Sequence, residues 1–275
     1  MRRTDLVWWS RPACYLPLAL LPVLLSGCYE ATRSEKDASV TWITNREQIR
    51  AALFSRTALF VEGVAVKRLN VLFNGDVLSR VDYDLDAASP ADAEKLNVGM
   101  ACAIAPGDLY VTAAHCLEHP PFSLLRVSPD KSTHILHPSV IWRDDARDIA
   151  ILYAPGDETA PVFPVAQAPP TPGEPVVTLG NLWEFSAGLI LPPWEGDSPL
   201  DIRHGIPTRR GDSGGPIMNR DGQLYGVVTG AQWRWPWFWI GTGRGARITS
   251  EDIAVARKLI PLQAPQDHGT AEPKP

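Results

Sequence analysis

The stretch Gly211-Asp212-Ser213-Gly214-Gly215-Pro216 places one hydroxyl side chain in a loop made largely of glycine. Glycine has no Cβ, so it permits a tight loop and a close approach of substrate to Ser213. A serine hydroxyl is a weak nucleophile at neutral pH and needs a base within hydrogen-bonding distance. The loop therefore carries chemistry only if the rest of the chain supplies an imidazole and a carboxylate.

Two earlier motifs supply these groups. Val111-Thr112-Ala113-Ala114-His115-Cys116 contains a histidine, the side chain that titrates nearest to neutral pH. Asp148-Ile149-Ala150-Ile151-Leu152 contains a carboxylate directly before an apolar run. In the order His, Asp, Ser, the three motifs resemble the active-site motifs of the chymotrypsin/trypsin superfamily. The resemblance covers residues 58–262, and the segments before Met100 match it poorly.

This resemblance implies an all-β fold of two six-stranded β-barrels of the chymotrypsin type, followed by a C-terminal α-helix. It implies a serine endopeptidase in which Ser213 is the nucleophile, His115 the general base and Asp148 the group that orients the imidazole. The backbone amides of Gly211 and Ser213 would form the oxyanion hole. Neither a cofactor nor a metal is expected, and the substrate would be a protein or peptide.

Other residues of the same types compete for these roles. Asp144 and Asp145 lie close to Asp148 in sequence, but only Asp148 directly precedes an apolar strand, where a buried orienting carboxylate is needed. Cys116 could form a dyad with His115, but neighbours on a strand point to opposite faces. The remaining histidines are interpreted as surface or core residues: His119, His134, His137, His204 and His268.

The resemblance also implies a substrate-binding surface. Pro207, six residues before the nucleophile, takes the position of the pocket floor, where cleavage after Lys or Arg requires an acid. Basic P1 residues are therefore not expected. Thr229, Gly230 and Ala231 take the place of the strand that pairs with the substrate peptide. The arginines 209 and 210 flank the mouth of the pocket, where they either favour acidic substrates or are simply solvated.

The residue before the nucleophile bears on activation. In many animal members of the superfamily a new N-terminal amine pairs with this aspartate, which is Asp212 here. No matching Ile-Val-Gly-Gly segment lies upstream. We therefore expect a chain that needs no proteolytic activation, with Asp212 bound by a backbone amide or an arginine.

The N-terminal segment predicts export. Met1-Arg2-Arg3 precedes an apolar run from Tyr15 to Leu25, which is too short to span a bilayer as a helix. The run ends in Leu25-Ser26-Gly27-Cys28, which resembles the lipobox of bacterial lipoproteins. This predicts a lipoprotein signal peptide over 1–27 and a diacylated Cys28 that anchors the chain to a membrane. An ordinary signal peptide and a short transmembrane anchor are the alternatives.

Tyr29 follows Cys28, in place of the aspartate linked to inner-membrane retention of such lipoproteins, so the expected location is the outer membrane facing the periplasm. In that oxidising compartment, Cys102 and Cys116 form an even pair on opposite arms of a predicted hairpin around 106–108. A cross-strand bridge there is geometrically reasonable, and we expect a disulfide. Neither cysteine has the neighbours of a zinc site.

Domain boundaries follow from composition. Residues 28–57 are predicted to form a polar tether and a short helix, because Thr44-Asn45-Arg46-Glu47 fits a capping box. Prolines are dense between 154 and 175, which excludes a helix and predicts the linker between the barrels. A terminal helix is expected from Ser250, and 263–275 is interpreted as a disordered tail. The net charge of −5 gives no reason to expect nucleic acid as a partner.

Tryptophans alternate along the segment 233–239, and this stretch has three interpretations: a half-buried strand, a wall of the substrate pocket, or a contact with the membrane interface. A different function also fits the sequence, namely a catalytically inactive protease-fold module used for protein binding. A protease-chaperone with a C-terminal peptide-binding domain is disfavoured, because the residues after Ser213 are needed for the second barrel.

Overall fold

The computed structural model describes residues 46–74, 77–85, 97–105, 108–128, 130–156, 160–180, 185–234 and 237–260. The predicted signal peptide, Cys28, the tether before residue 46 and the tail 263–275 lie outside these ranges, as does His268. Within the described ranges, no helix has the length and apolar character needed to cross a bilayer.

Fifteen strands and two α-helices make up this part of the chain. The strands are β1 (Thr57–Glu62), β2 (Val66–Asn74), β3 (Val77–Leu85), β4 (Asn97–Ala105), β5 (Leu109–Thr112), β6 (Phe122–Val127), β7 (Thr133–Leu136), β8 (Ser139–Asp144), β9 (Ile149–Tyr153), β10 (Pro175–Leu179), β11 (Phe185–Leu189), β12 (Asp201–His204), β13 (Pro216–Asn219), β14 (Leu224–Arg234) and β15 (Trp237–Arg247). The helices are α1 (Arg46–Arg56) and α2 (Ser250–Leu259), and a 3₁₀ turn spans Ala114–Cys116.

The first sheet has seven strands in the order β7-β6-β1-β4-β5-β9-β8, and the strand pairs are antiparallel. Side chains alternate across it, as strand geometry requires. Along β4, Met100, Cys102 and Ile104 belong to one apolar cluster, whereas Ala101 and Ala103 belong to another on the opposite face. The sheet therefore has apolar packing on both of its faces.

The second sheet has six strands in the order β11-β10-β13-β14-β15-β12. Its interior contains aliphatic residues from several strands, among them Val176, Ile202, Ile217 and Val228. β2 and β3 pair antiparallel in a separate two-stranded sheet. The two curled sheets and the C-terminal helix confirm the chymotrypsin-like fold, although the first sheet has one strand more than the predicted six.

The proline-rich segment between β9 and β10 is bonded to both sheets. The amide of Phe163 donates to the carbonyl of Ala103 in the first sheet at 2.8 Å. The amide of Ala166 donates to the carbonyl of Leu224 in the second sheet at 2.9 Å, and Leu224 returns a bond to Pro164 at 2.8 Å. This segment is thus a linker fastened to both sheets.

Helix α2 closes the described chain. Its N-cap is Thr249, one residue before the predicted start, and Thr249 forms a reciprocal capping box with Asp252. Ile253 and Ala256 are its buried residues. The acidic first turn and basic last turn match the helix dipole.

Candidate active site

Strand pairing brings the predicted histidine and aspartate together. β5 pairs antiparallel with β9 so that Thr112 lies opposite Ala150. The segment that follows β5 and the segment that precedes β9 therefore leave the sheet at the same edge. His115 lies in the 3₁₀ turn after β5, and Asp148 is the residue directly before β9.

Three hydrogen bonds fix His115 against Asp148. The Asp148 Oδ2 atom lies 2.7 Å from His115 Nδ1, and Oδ1 accepts the backbone amide of His115 at 2.8 Å. The carbonyl oxygen of Asp148 accepts the amide of Ala114 at 3.2 Å. Asp148 adopts a left-handed backbone, with φ of 58°, a conformation that costs a non-glycine residue about 1–2 kcal/mol and is tolerated best by Asp and Asn. The surrounding bonds must therefore hold this residue in place.

Ser213 comes from the second half of the fold and completes the arrangement. Its Oγ atom lies 3.0 Å from His115 Nε2. Its carbonyl oxygen accepts the amide of Met100 in β4 at 2.7 Å, a bond that fastens the serine loop to the first sheet. The structure thus places all three predicted residues in one chain of contacts, Asp148–His115–Ser213.

The electrostatics of this site favour a proton on the imidazole. The hydrogen bond that Asp148 accepts from the ring, with a further contribution from the Cys116 side chain, raises the pKa of His115 to about 10, against the opposing effect of burial. About 40% of the His115 side chain is exposed, so the ring is accessible from solvent. At neutral pH the accessible ring therefore carries a proton, and only its neutral form could take the serine proton.

Glycine geometry shapes the loop around Ser213. Gly211 and Gly214 have φ of 93° and 84°, which L-residues rarely adopt. A Cβ at Gly214 would lie 1.8 Å from the carbonyl oxygen of Met100, so a larger residue cannot fit there. Across the described ranges, neither the Gly211 amide nor the Ser213 amide donates to a backbone carbonyl.

Comparison with known families agrees with this geometry. Residues 99–227 match the family model described as "Trypsin-like peptidase domain". The match begins in β4, ends in β14 and includes His115, Asp148 and Ser213. Over these residues the chain is similar to a trypsin-like peptidase domain.

Solved structures share the fold of this peptidase domain. The Rv3671c protease from M. tuberculosis in its active form is 20% identical with a TM-score of 0.52, and the match covers 79% of this chain and 86% of that chain. The inactive form of the Rv3671c protease is 21% identical with a TM-score of 0.50, covering 78% and 93%. No curated protein matches the chain. At these identities the structural similarity shows the fold alone.

The acid next to the nucleophile has the kind of partner that the sequence predicts. Asp212 is buried, and its Oδ2 atom accepts the backbone amide of Arg209 at 2.7 Å. Gly180 lets the carboxylate approach closely, since a Cβ there would lie 2.3 Å from Asp212 Oδ1. The peptidase domain therefore binds Asp212 through a backbone amide of its own loop.

The predicted disulfide between Cys102 and Cys116 is not formed; both are buried free thiols. Cys102 packs with Met100 on one face of β4, and its thiol donates to the Gly214 carbonyl at 3.2 Å. Cys116 packs on the other face, where its Sγ would lie 3.0 Å from a Cβ placed on Gly99. The alternation of side chains along β4 separates the two sulfurs. Burial raises the pKa of Cys102 well above its usual value, which favours the thiol as donor.

The premise used against a Cys116–His115 dyad is also wrong, because the two residues lie in a 3₁₀ turn and not on a strand. The Cys116 side chain is one of the groups that raise the pKa of His115, after Asp148. Both ring nitrogens of His115 nevertheless lie next to oxygen atoms, at Asp148 and Ser213. The Cys116 side chain therefore affects the pKa of His115 without taking part in the Asp148–His115–Ser213 contacts.

The rival residues have other partners in the peptidase domain. Asp144 binds Arg147, and Asp145 binds Arg143 at 2.5 Å. Among the other histidines, His204 is fully buried, and this burial lowers its pKa to about 4. His119 lies near Glu118, and His134 contacts two serines. His137 is exposed, and none of these four described histidines is hydrogen-bonded to Asp148 or Ser213. In the described ranges, acidic, histidine and cysteine side chains form no cluster of three suited to a metal ion.

The predicted substrate-binding residues lie beside the serine loop in sequence and on β14. Pro207 is exposed, as are Arg209 and Arg210. The strand segment Thr229–Ala231 pairs with β15, where Gly230 lies opposite Arg244 and Ala231 opposite Gly243. Trp233 and Trp237 lie on β14 and β15, Trp235 lies outside the described residues, and the three interpretations of this segment stay open predictions.

Two supporting residues were not predicted from sequence. Glu62, only 1% exposed, accepts the side-chain amide of Asn97 at 3.2 Å and the backbone amides of Glu118 and His119, so it holds the segment that follows the catalytic turn. Arg147 binds two carboxylates beside Asp148. The only sequence signal for Arg147 is its spacing of three residues from Asp144.

Proposed function

We propose that this chain is a serine endopeptidase that hydrolyses peptide bonds through an acyl-enzyme on Ser213. One observation supports this above all others. The His115 ring lies between a carboxylate and a hydroxyl, with Nδ1 2.7 Å from Asp148 Oδ2 and Nε2 3.0 Å from Ser213 Oγ. Both distances lie within the range of a hydrogen bond, which is the contact that proton transfer requires.

In the proposed acylation, Ser213 Oγ bonds to the scissile carbonyl carbon while its proton moves to His115 Nε2. The Asp148 carboxylate accepts a hydrogen bond from the Nδ1–H group, which stabilises the imidazolium while the proton stays on Nδ1. The amides of Gly211 and Ser213 donate to the carbonyl oxygen as it becomes negative. When the tetrahedral intermediate collapses, the carbon–nitrogen bond breaks and the amine leaves with the proton from Nε2.

Deacylation repeats these steps with water. His115 takes a proton from the water, the hydroxide adds to the ester carbonyl, and the bond to Ser213 Oγ breaks as the proton returns to that oxygen. A free carboxylic acid and the original hydroxyl result. The cycle requires no group beyond those in the described residues and the water itself.

We propose a protein or peptide substrate that extends along β14. Gly230 and Ala231 pair with β15 on one side, with a register shift at Thr229, while β13 pairs only as far as Val227, at Pro216. The other edge of this segment therefore extends past β13 and is suited to pairing with an added strand. Pro207 at the proposed pocket floor offers no charge, which argues against Lys or Arg at P1.

A fluorophosphonate probe tests the proposed activity. The probe should label the full-length wild type and fail to label Ser213→Ala. Ser198→Ala is a matched control, because this serine lies between β11 and β12, where it bonds to Asp201 and Leu200, and its loss should leave labelling intact. If folded wild-type protein is not labelled, the peptidase proposal is wrong and the alternative, a protease-fold binding module, is favoured.

We also propose that the chain is a lipoprotein anchored through Cys28 to the outer membrane and facing the periplasm. The support is the motif Leu25-Ser26-Gly27-Cys28 after an apolar run, together with Tyr29. In a bacterial host, a palmitate analogue should label the wild type and not Cys28→Ala. Unlabelled wild type, or label retained in the variant, would contradict the lipid anchor.

A further inference from the structure

Arg147 lies between the catalytic loop and the C-terminal helix. Its Nη2 and Nη1 atoms donate to the two carboxylate oxygens of Asp252 in α2 at 2.8 and 3.1 Å. Its Nε atom donates to Asp144 Oδ2 at 2.6 Å, and its guanidinium stacks on the Trp142 ring at 5.2 Å from the centroid. A planar guanidinium with several fixed donors can make all these contacts at once.

These contacts are shielded from water. The side chains of Arg147 and Asp252 are 13% and 12% exposed. An ion pair with this little exposure is screened far less than a surface pair, and its loss leaves a charge without a partner. Arg147 is therefore held firmly between β8 and α2.

Asp148 follows Arg147 directly, in the left-handed conformation, with φ of 58°. The oxygens of Asp148 bind three groups in the segment that contains His115: the backbone amides of Ala114 and His115, and the ring atom Nδ1 of His115. A shift of residue 147 would move these acceptors together. Small misplacements of catalytic groups can reduce rates by as much as about 100-fold.

We infer that Arg147 is a positioning residue for the Asp148–His115 pair, and that helix α2, through Asp252, holds the catalytic carboxylate in place. The inference rests on the proposed peptidase function and extends it to a part of the chain that does not contact the reacting atoms. The charged and titratable groups facing Arg147 are Asp144 from β8 and Asp252 from α2. Those facing His115 are Asp148 and Cys116.

The first test measures rates in the full-length chain. Arg147→Ala should lower kcat about 10-fold to 100-fold with KM nearly unchanged, because the substrate is bound elsewhere. Arg147→Lys should fall between this variant and the wild type, since an ammonium cannot span both carboxylates. Arg257→Ala is the matched control, because Arg257 is an exposed arginine on α2, the helix that contains Asp252, and this variant should behave as wild type.

Asp252 has a second role in the capping box, so its variants need their own control. Asp252→Asn should reproduce most of the kcat loss of Arg147→Ala. Thr249→Ala removes the N-cap side chain but leaves the Arg147–Asp252 pair, and should lower thermal stability with little change in kcat. Equal kcat losses in Thr249→Ala and Asp252→Asn would mean that activity depends on the integrity of helix α2 and not on the Arg147–Asp252 pair, which would overturn the inference.

The second test does not depend on catalysis. NMR titration of His115 in a Ser213→Ala background should show a lower pKa when Arg147→Ala is added, because Asp148 no longer holds Nδ1 firmly. If the wild type is not labelled by fluorophosphonate but this shift is present, the peptidase proposal fails and the positioning role stands. A folded Arg147→Ala variant with wild-type kcat and an unchanged His115 pKa would overturn the inference. If Arg147→Ala does not fold, kcat and the pKa of His115 are measured in Arg147→Lys instead, and wild-type values for both would overturn the inference.

Discussion

The two halves of the site are held by different means. His115 and Asp148 lie just outside two paired strands of one sheet, β5 and β9, and three direct hydrogen bonds join their segments. Ser213 belongs to the other half and reaches them through a glycine loop whose backbone packs against β4. The His115–Asp148 half is held by hydrogen bonds to a charged side chain. The Ser213 half is held by close backbone packing, which is possible because Gly214 has no side chain. The first should therefore be sensitive to lost charge and the second to added volume.

The largest effect is expected from the charged half. Asp148→Asn should lower kcat by about 10⁴-fold, because an amide supports the wrong tautomer of His115 and cannot stabilise the imidazolium. Substrate binding should change little. Steady-state kinetics on one peptide substrate test this, with Asp145→Asn as the control, since that aspartate is exposed and binds Arg143. A loss below tenfold would mean that Asp148 is not the orienting carboxylate.

The pH dependence should follow the same half of the site. Because Asp148 and Cys116 raise the pKa of His115 to about 10, the base form becomes more abundant as pH rises. Below that pKa, kcat/KM should increase close to tenfold per pH unit. Asp148→Asn removes the main cause and should shift the profile to lower pH. A rate that is flat from pH 6 to pH 9 would contradict the raised pKa.

The same group affects stability with a definite sign. A histidine whose pKa is higher in the folded chain than its unfolded value of 6.5 stabilises the fold below that value. This contribution is lost as pH rises toward about 10. Rate and stability should therefore change in opposite directions above pH 6.5. Thermal unfolding of wild type and His115→Ala across this range gives the comparison.

In the glycine half, Gly214→Ala should have the next largest effect. The new Cβ would be forced against Met100 and the backbone conformation is unfavourable for alanine, so the loop must move. We expect destabilisation of about 1–3 kcal/mol and a loss in kcat of about 100-fold, because the Ser213 amide is displaced. Gly222→Ala is a matched control: its φ is also positive, but no atom lies within 4 Å of the added Cβ. Similar kcat losses in both variants would contradict the packing argument.

The smallest effect is expected from reductant. Since Cys102 and Cys116 lie on opposite faces of β4, dithiothreitol should leave the Tm within experimental error. Mass spectrometry after alkylation under denaturing conditions should find both thiols unpaired. A Tm that falls by several degrees on reduction would restore the disulfide predicted from sequence.

Sequence alone predicted the all-β class and the C-terminal helix, and it singled out His115, Asp148 and Ser213, which the structure brings together, because each leaves a local signature: strand runs, a capping residue or a motif. It did not predict the thiol geometry, since a disulfide depends on which face of β4 each sulfur occupies and where β5 ends. β5 ends at Thr112, and Cys116 lies in the 3₁₀ turn at 114–116 that follows it.

Arg147, Asp252 and Glu62 illustrate what only the tertiary structure decided. Arg147 and Asp252 are 105 positions apart in the chain, and nothing local marks either as the partner of the other. Their contact exists because α2 packs beside β8 when the chain folds. The sequence determines which chemical groups the chain carries. The distances between Arg147 and Asp252, and between His115 and its two partners, are set only when strands and helices far apart in the chain pack together.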